Sequence, residues 1–386
     1  MSKIFSKISL VLSLALMVSL LGVASLPAKA ADETLKLGFG GALLGNNASY
    51  GLSNLYGIEY AIGKINAKGG VLGRQVELVQ EDDGCDPEKG STAATKLTSL
   101  GLNLVLGHTC SGATHSALSV YGDSALVISS SATEVSLTES GDNPYFFRTT
   151  PRDDAQVPAQ VDYIVKKGFK RVAILHDKGD YGLALAEMAR NLLNGLKDKP
   201  DGPKDIEIVL FDGITTGDPN FDDTITLVAS KQADILIWGG YYSDASKLVV
   251  QMRDKGVATL LIGPDGLYNN SFITLAGAAA EGVLTTGQMD LSNSDAAKAA
   301  IEDHKTRHSE DIGPYFFYSA GATEALLAAV EKVGNTTDLE AIKKHLNEDT
   351  VDTIMGPVRF DAKGDVIGVG FSIYEIKDGT FHEIKL

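Results

Sequence analysis

The sequence predicts an α/β protein made of two open, doubly wound parallel-sheet units. Short strand-like runs alternate with helical stretches from Leu35 onward, an order typical of βαβ units with helices on both faces of a sheet. The same plan starts again after Phe146, although no sequence repeat links the two halves. The length of 386 residues also suits two domains of about 150 residues each.

The first unit is predicted from apolar runs that are short enough to be strands. We expect strands at residues 35–40, 75–81, 102–106 and 126–129, with helices at 52–67 and 88–100 and a further helix that starts at Ser116. The segment 107–114 precedes that last helix and is rich in Ser, Gly and Thr. It is predicted to be an anion-binding turn, because free N–H groups and the helix dipole favour negative charge there.

The second unit alternates in the same way. We expect helices at 156–167, 182–196, 221–231 and 244–255, and strands at 171–176, 206–211, 234–238 and 260–262. Three more helices are expected at 294–308, 315–333 and 339–346, followed by three short strands within 357–386. No Pro- or Ser-rich linker separates the halves, so we expect the chain to cross between them more than once by short segments.

The first thirty residues have the pattern of a secretory signal peptide. Lys3 and Lys7 precede an apolar run at 8–26, and Ala28-Lys29-Ala30 supplies an A-x-A cleavage signal, which predicts cleavage before Ala31 and export from the cytoplasm. The alternative is an uncleaved anchor, since the run is close to membrane-spanning length.

The charge and the motifs exclude several classes of function. The net charge is −16, and it becomes −19 once the three lysines of the leader are removed, which makes nucleic acid a poor partner. The glycine motif at 38–43 lacks its third glycine, and no Gly-x-Ser-x-Gly elbow is present. His304 and His308 could share a helix face for a metal, but their charged flanks favour a solvated surface. We therefore expect a binding protein without catalytic residues, cofactor or metal.

Polar and aromatic residues follow three predicted strands, at 176–181, 239–242 and 263–266. Ligands of open α/β sheets bind outside the carboxyl ends of the strands, so we expect one cleft between the two units. Ser111 and Thr133 would offer anion donors on one wall, and Asp265 would offer a carboxylate on the other. Such a cleft suits a zwitterion.

The two cysteines, Cys85 and Cys110, both lie in the exported part of the chain, where a disulfide can persist. A bond would close a loop of about 25 residues and contribute about 3 kcal/mol. The alternative is two free buried thiols.

Ten segments in order along nearly the whole mature chain resemble the periplasmic substrate-binding proteins of branched-chain amino acid ABC transporters, the leucine/isoleucine/valine-binding family. They are INAKGG (65–70), DDGCDP (82–87), GHTCS (107–111), FRTT (147–150), HDK (176–178), YG (181–182), FDGIT (211–215), GGY (239–241), VDTIMGP (351–357) and DAKGD (361–365).

The resemblance implies the type I periplasmic-binding-protein fold, in which two lobes are joined by a three-segment hinge. One lobe would comprise residues 31–150 plus 289–371, and the other 151–288 plus 372–386. It also implies a disulfide between Cys85 and Cys110.

The same resemblance implies a set of ligand-binding residues. Ser111 and Thr133, with backbone groups near Ser131, would hold the ligand carboxylate, and Asp265 with Tyr181 nearby would hold its ammonium group. The positions that would line the side-chain pocket are Tyr50, Tyr241 and Tyr315.

Four departures from the family pattern affect this pocket. The loop at 41–50 lacks the usual Ser-Gly-Pro turn, Asp265 replaces a longer Glu, Ser131 replaces Ala, and Tyr315 replaces Phe. Each departure changes the polarity of the pocket or the length of a side chain that lines it. The departures therefore affect which ligand side chain the pocket accepts.

The expected function is capture of an aliphatic, branched-chain L-amino acid and its delivery by a monomeric binding protein to a membrane ABC permease. The alternative within the binding class is another small carboxylate or amide, such as an aromatic acid or a short-chain amide. An exported enzyme or a receptor's sensing module would be alternatives of a different class.

Overall fold

The computed structural model describes residues 34–385, so the predicted leader at 1–30 lies outside the described residues. The first part of the chain forms a five-stranded, wholly parallel sheet of order β2-β1-β3-β4-β5. Its strands are β1 (Leu35–Gly41), β2 (Val76–Asp82), β3 (Leu104–Gly107), β4 (Leu126–Ser129) and β5 (Phe146–Arg148). The helices between them are α1 (Ala48–Ala67), α2 (Pro87–Ser99), α3 (Ser111–Tyr121) and the single turn α4 (Ser136–Glu139).

The second part of the chain forms a seven-stranded sheet of order β14-β13-β10-β9-β8-β6-β7. Its parallel strands are β6 (Arg171–His176), β7 (Glu207–Gly213), β8 (Ile235–Gly239), β9 (Leu260–Gly263) and β10 (Leu284–Gln288). The accompanying helices are α5 (Asp153–Lys167), α6 (Asp180–Asp198), α7 (Asp222–Ser230), α8 (Tyr242–Asp254) and α9 (Asn270–Ala276).

The last part of the chain returns to both sheets. Helices α10 (Asp295–Arg307), α11 (Phe316–Val333) and α12 (Leu339–Glu348) are followed by the hairpin β11 (Val351–Thr353) and β12 (Gly356–Val358), and then by β13 (Phe371–Lys377) and β14 (Thr380–Ile384). Helices α11 and α12 pack on the first sheet, whereas β13 and β14 join the second. The chain thus runs three times between the two sheets, as predicted; the residue limits of the two lobes stay a prediction.

Each sheet is covered on both faces, as strands of parallel sheets usually are. Side chains alternate along each strand, so Leu104 and Leu106 pack toward α11 while Val105 packs toward α3. The second sheet repeats this arrangement, with Trp238 on one face and Ile237 on the other. These buried layers hold the strand ends, and the loops that follow them, in fixed positions.

The structure corrects several predicted elements. Helix α3 begins at Ser111 rather than Ser116, because Cys110 takes the extended N-cap conformation and its carbonyl accepts the Thr114 N–H at 2.9 Å. The C-terminal strands β13 and β14 pair antiparallel, so the second sheet is mixed rather than wholly parallel. Strands β5, β10 and β11 and helices α4 and α9 were not predicted. Within residues 34–385, no helix combines the length and the apolar character needed to cross a membrane.

Candidate ligand-binding site

Six of the eight predicted ligand-binding residues line one cavity between the carboxyl ends of the two sheets. They are Tyr50, Ser131, Tyr181, Tyr241, Asp265 and Tyr315, together with Thr109, Cys110 and Gly266. Ser111 lies beside this group, because its backbone N–H faces the Tyr241 hydroxyl. Thr133 is buried behind the lining, where its carbonyl accepts the Asp153 N–H at 3.0 Å.

The first wall of the cavity is the N-terminus of α3. The Cys85–Cys110 disulfide, with Cα atoms 5.2 Å apart, ties this N-terminus to the loop after β2, which confirms the predicted bond. The N-cap residue Cys110 provides no side-chain hydrogen bond to the first turn. The opening N–H groups of a helix lack intrahelical partners and carry partial positive charge, so this end of α3 favours a carboxylate.

The loop after β4, which carries Ser131 and Thr133, is held from behind by Arg148. The Arg148 guanidinium is fully buried and donates to the carbonyls of Ala132 at 3.0 Å and Glu134 at 2.7 Å. Burial lowers the pKa of this guanidinium, whereas Asp365, 2.6 Å away, favours its charged form. Arg148 lies in the FRTT segment and Asp365 in the DAKGD segment. The sequence analysis did not predict that these segments position the loop.

Asn54 of α1 positions the front of the same loop. Its side-chain oxygen accepts from the Thr109 hydroxyl at 3.1 Å and from the Ser131 hydroxyl at 3.2 Å, and its amide donates to Ser130 at 2.6 Å. The Ser131 hydroxyl also donates to the Thr109 carbonyl at 2.8 Å. The Ser131 hydroxyl is therefore already hydrogen-bonded to protein atoms. The donors of this loop that remain for the predicted carboxylate-binding role are backbone groups.

The second wall centres on Asp265, in the turn after β9. Its carboxylate is buried and accepts four hydrogen bonds. The donors are Tyr181 at 2.5 Å and Gln156 at 2.9 Å to Oδ1, and Tyr315 at 3.1 Å and Gln288 at 2.8 Å to Oδ2. Burial raises the pKa of Asp265, whereas the four donors oppose that rise by stabilising the charged form.

This arrangement changes the interpretation of two groups of residues. Tyr315, predicted to line the side-chain pocket, also donates to Asp265 and so supports the shorter acid. Gln156 and Gln288 were missed, because an isolated glutamine carries no sequence signal of burial. Asp153, one turn before Gln156 on α5, was missed for the same reason.

Four tyrosine rings fill most of the space between the walls. Tyr50 lies 5.9 Å from Tyr241 and 5.9 Å from Tyr315 between ring centroids, and Tyr181 stacks on Tyr241 at 5.0 Å. The cavity left between them is about 10 Å³, room for a single water. Burial raises the pKa of all four phenols, so they remain neutral hydrogen-bonding groups.

Contacts across the cleft close the cavity from outside. The Tyr50 hydroxyl donates to the Gly266 carbonyl, and Tyr242 donates to the Asn46 carbonyl at 2.7 Å and accepts from Ser49 at 2.8 Å. A ligand larger than water therefore requires the two walls to separate or the tyrosines to turn. The sequence analysis did not predict a role for Tyr242, because it assigned the lining of the side-chain pocket to the neighbouring Tyr241.

The family described as periplasmic binding protein matches residues 34–380. The chain is 35% identical over 353 residues to the Leu/Ile/Val-binding protein of Citrobacter freundii, which covers 91% of this chain and 93% of that protein. It is also 35% identical over 345 residues to the leucine-specific-binding protein of Salmonella typhimurium, over 89% and 91% of the two chains.

Solved structures agree with this assignment. The isoleucine complex of the branched-chain amino acid transporter substrate binding protein LivJ from Streptococcus pneumoniae superposes with a TM-score of 0.79 at 25% identity, over 92% of this chain and all of that one. These likenesses confirm the predicted fold class and identify a class of binding proteins rather than enzymes. The chain belongs to the family of periplasmic binding proteins.

Proposed function

We propose that this protein is the periplasmic solute-binding component of an ABC transporter, and that it captures an aliphatic, branched-chain L-amino acid and delivers it to a membrane permease. The observation that carries the proposal is the pairing of a buried carboxylate with a helix N-terminus across one small cavity. A carboxylate matches an ammonium group and a helix N-terminus matches a carboxylate, so the pair suits an α-amino acid. Relatives named for binding leucine, isoleucine and valine support the same ligand class.

In this proposal the two charged ends of the ligand bind opposite walls. The N-terminus of α3 at Ser111, with Thr133 and backbone groups near Ser131, receives the ligand carboxylate. Asp265, with Tyr181, faces its ammonium group. Charge-assisted hydrogen bonds of this kind are roughly twice as strong as neutral ones.

The tyrosines form the remaining surface in this proposal. Tyr50, Tyr241 and Tyr315 turn aside or move with their lobes to contact the ligand side chain. The lobes, residues 31–150 plus 289–371 and residues 151–288 plus 372–386, close on the ligand by a hinge motion that the permease recognises. The protein acts as a monomer after cleavage of its first 30 residues.

The test is calorimetric titration of the protein, lacking its first 30 residues and unfolded and refolded to remove carried ligand. The ligands are L-leucine, L-isoleucine, L-valine, D-leucine, 4-methylpentanoate and 3-methylbutylamine. We expect binding of the L-amino acids alone, because only they present both charged groups in the correct arrangement. At 100 times the dissociation constant, the ligand should stabilise the fold by about 2.7 kcal/mol. Absence of binding by every aliphatic L-amino acid would refute the proposal.

The tyrosine-rich lining favours one second candidate, an aromatic carboxylate without an amino group. Buried Asp265 argues against it, because a carboxylate facing an uncharged ligand group would have no cation to offset its desolvation. Titration with benzoate separates the two candidates. Benzoate binding without amino acid binding would favour the second.

A further inference from the structure

Three hydrogen bonds in series join the two walls of the cleft outside the tyrosine-lined cavity. The Asn269 side-chain amide donates to the Ser49 hydroxyl at 3.0 Å, and the Ser49 hydroxyl donates to the Tyr242 hydroxyl at 2.8 Å. The Tyr242 hydroxyl donates in turn to the Asn46 carbonyl at 2.7 Å. Asn46 and Ser49 follow β1 of the first sheet, whereas Tyr242 and Asn269 follow β8 and β9 of the second. Each of these three bonds, the rim hydrogen bonds, therefore crosses the cleft.

The donors of this series are fixed in direction. The Asn269 side-chain oxygen accepts the Ser271 N–H at 2.8 Å as the N-cap of α9, so its amide group is the part that faces Ser49. The hydroxyls of Ser49 and Tyr242 each accept one hydrogen bond and donate one. Hydrogen bonds in series polarise one another, so removal of either hydroxyl weakens the whole series.

The loop that carries Asn46 and Ser49 is anchored at its base. Asp82, at the end of β2, accepts the N–H groups of Leu43 and Leu44 on Oδ1 at 2.8 and 2.9 Å. This loop, residues 41–50, is also where the chain lacks the Ser-Gly-Pro turn of the family pattern. The rim hydrogen bonds thus use a segment in which this chain differs from its relatives.

Tyr242 contacts the predicted ligand-binding residue Tyr50 but does not share its position in the cavity. The two rings lie 5.0 Å apart between centroids in an edge-on arrangement. Among the described residues that line the cavity, Tyr50 is present and Tyr242 is not. Tyr242 can therefore act on a ligand only through its neighbours.

We propose that the rim hydrogen bonds form a latch that holds the cleft closed behind the bound amino acid, and that Tyr242 is a positioning residue that slows ligand dissociation. This inference rests on the proposed function. The inner tyrosines turn aside for the ligand, while the latch, which lies outside their cavity, keeps the two walls together. A ligand leaves only when the cleft opens, so a latch that favours the closed state lowers the dissociation rate and leaves the rate of encounter unchanged.

The experiment measures the release of radiolabelled L-leucine from the refolded protein, chased by excess unlabelled L-leucine and followed by rapid filtration. Calorimetric titration gives the dissociation constant, and the ratio of the two quantities gives the association rate constant. Tyr242→Phe removes the hydroxyl, and with it two of the three rim hydrogen bonds, but keeps the ring that packs on Tyr50. We expect dissociation at least about fivefold faster, with the association rate constant within about twofold of wild type.

Ser49→Ala interrupts the same series from the opposite wall and should also accelerate dissociation. In the double variant, Ser49→Ala with Tyr242→Phe, the acceleration should fall short of the product of the two single effects, because both act on one series. Tyr163→Phe is the matched control, since it removes a phenolic hydroxyl from a ring that packs on Phe169, and it should change neither rate. Circular dichroism melting of each free variant establishes that it is folded, and Ser49→Ala decides the question if Tyr242→Phe does not fold.

Two results would overturn the inference. Unchanged dissociation in folded Tyr242→Phe and Ser49→Ala would show that the rim hydrogen bonds do not hold the ligand. Slower dissociation or tighter binding in either variant would show that they oppose the liganded state. Absence of L-leucine binding by the wild type would instead overturn the proposed function, and the latch with it. Wild-type binding with unaltered variants would overturn the latch alone.

Discussion

Truncation of Arg148 to alanine should destabilise the protein by about 3–5 kcal/mol, the usual cost of breaking a buried ion pair from one side. The guanidinium is fully buried and donates to Asp365 at 2.6 Å, to Thr138 at 2.6 Å and to two carbonyls of the loop after β4. Alanine would leave those carbonyls without a donor. Asp365 would keep Arg152 at 3.2 Å, which holds the cost within that range.

The assay is urea denaturation at pH 7, with the free energy of unfolding extrapolated to water. Arg307→Ala is the matched control, because Arg307 forms an exposed ion pair with Asp303 on α10 and should cost under about 1 kcal/mol. Asp365→Asn added to Arg148→Ala should recover part of the loss, since Asp365 would otherwise be a carboxylate beside the gap with Arg152 as its remaining cation. A loss below about 1 kcal/mol for Arg148→Ala would refute the assignment of Arg148 as the support of this loop.

Two further predictions concern stability. Replacing Cys85 and Cys110 by serine should lower the free energy of unfolding by about 3 kcal/mol, from the chain entropy of a 25-residue separation, and unchanged denaturation would contradict this. Burial raises the pKa of Asp177 to about 6, so the folded state holds its proton more tightly than the unfolded state, and stability falls as pH rises from about 4 to 6. Asp177→Asn should remove that fall and stabilise the protein above pH 6 by up to about 3 kcal/mol. Urea denaturation of the wild type and the variant at pH 4 and pH 7 measures the difference in their free energies of unfolding. An equal difference at the two pH values would be inconsistent with this reasoning.

The order of helices and strands was largely readable from local pattern. Runs such as 102–106 and 234–238 are apolar enough to predict buried strands, and the structure has strands at both. Strand β10, with the sequence Leu-Thr-Thr-Gly-Gln, has no such pattern; it is buried because β9 and β13 pair with it on either side. The antiparallel direction of β13 likewise follows from its pairing partner rather than from its own residues.

The residues of the candidate site also fall into two groups, those that the sequence pattern marks and those that only the fold brings together. Asp265, the tyrosines and the two cysteines were found because family segments or strand ends mark them. Gln156 and Asp153 were not, since polar residues at the start of an amphipathic helix have the pattern of a solvated surface. Their burial arises from contacts with Asp265, which is 109 residues from Gln156 along the chain.

The chain's local chemistry thus decides its class, its two α/β units, its disulfide partners and the residue types that a zwitterion needs. The pairing of strands, the support of the Thr133 loop by Arg148, and the shared environment of Asp153 and Asp265 depend on distant segments that meet only in the folded state. The physical reason is that hydrogen bonding and desolvation act over a few ångströms, whereas a sequence records only neighbours along the chain.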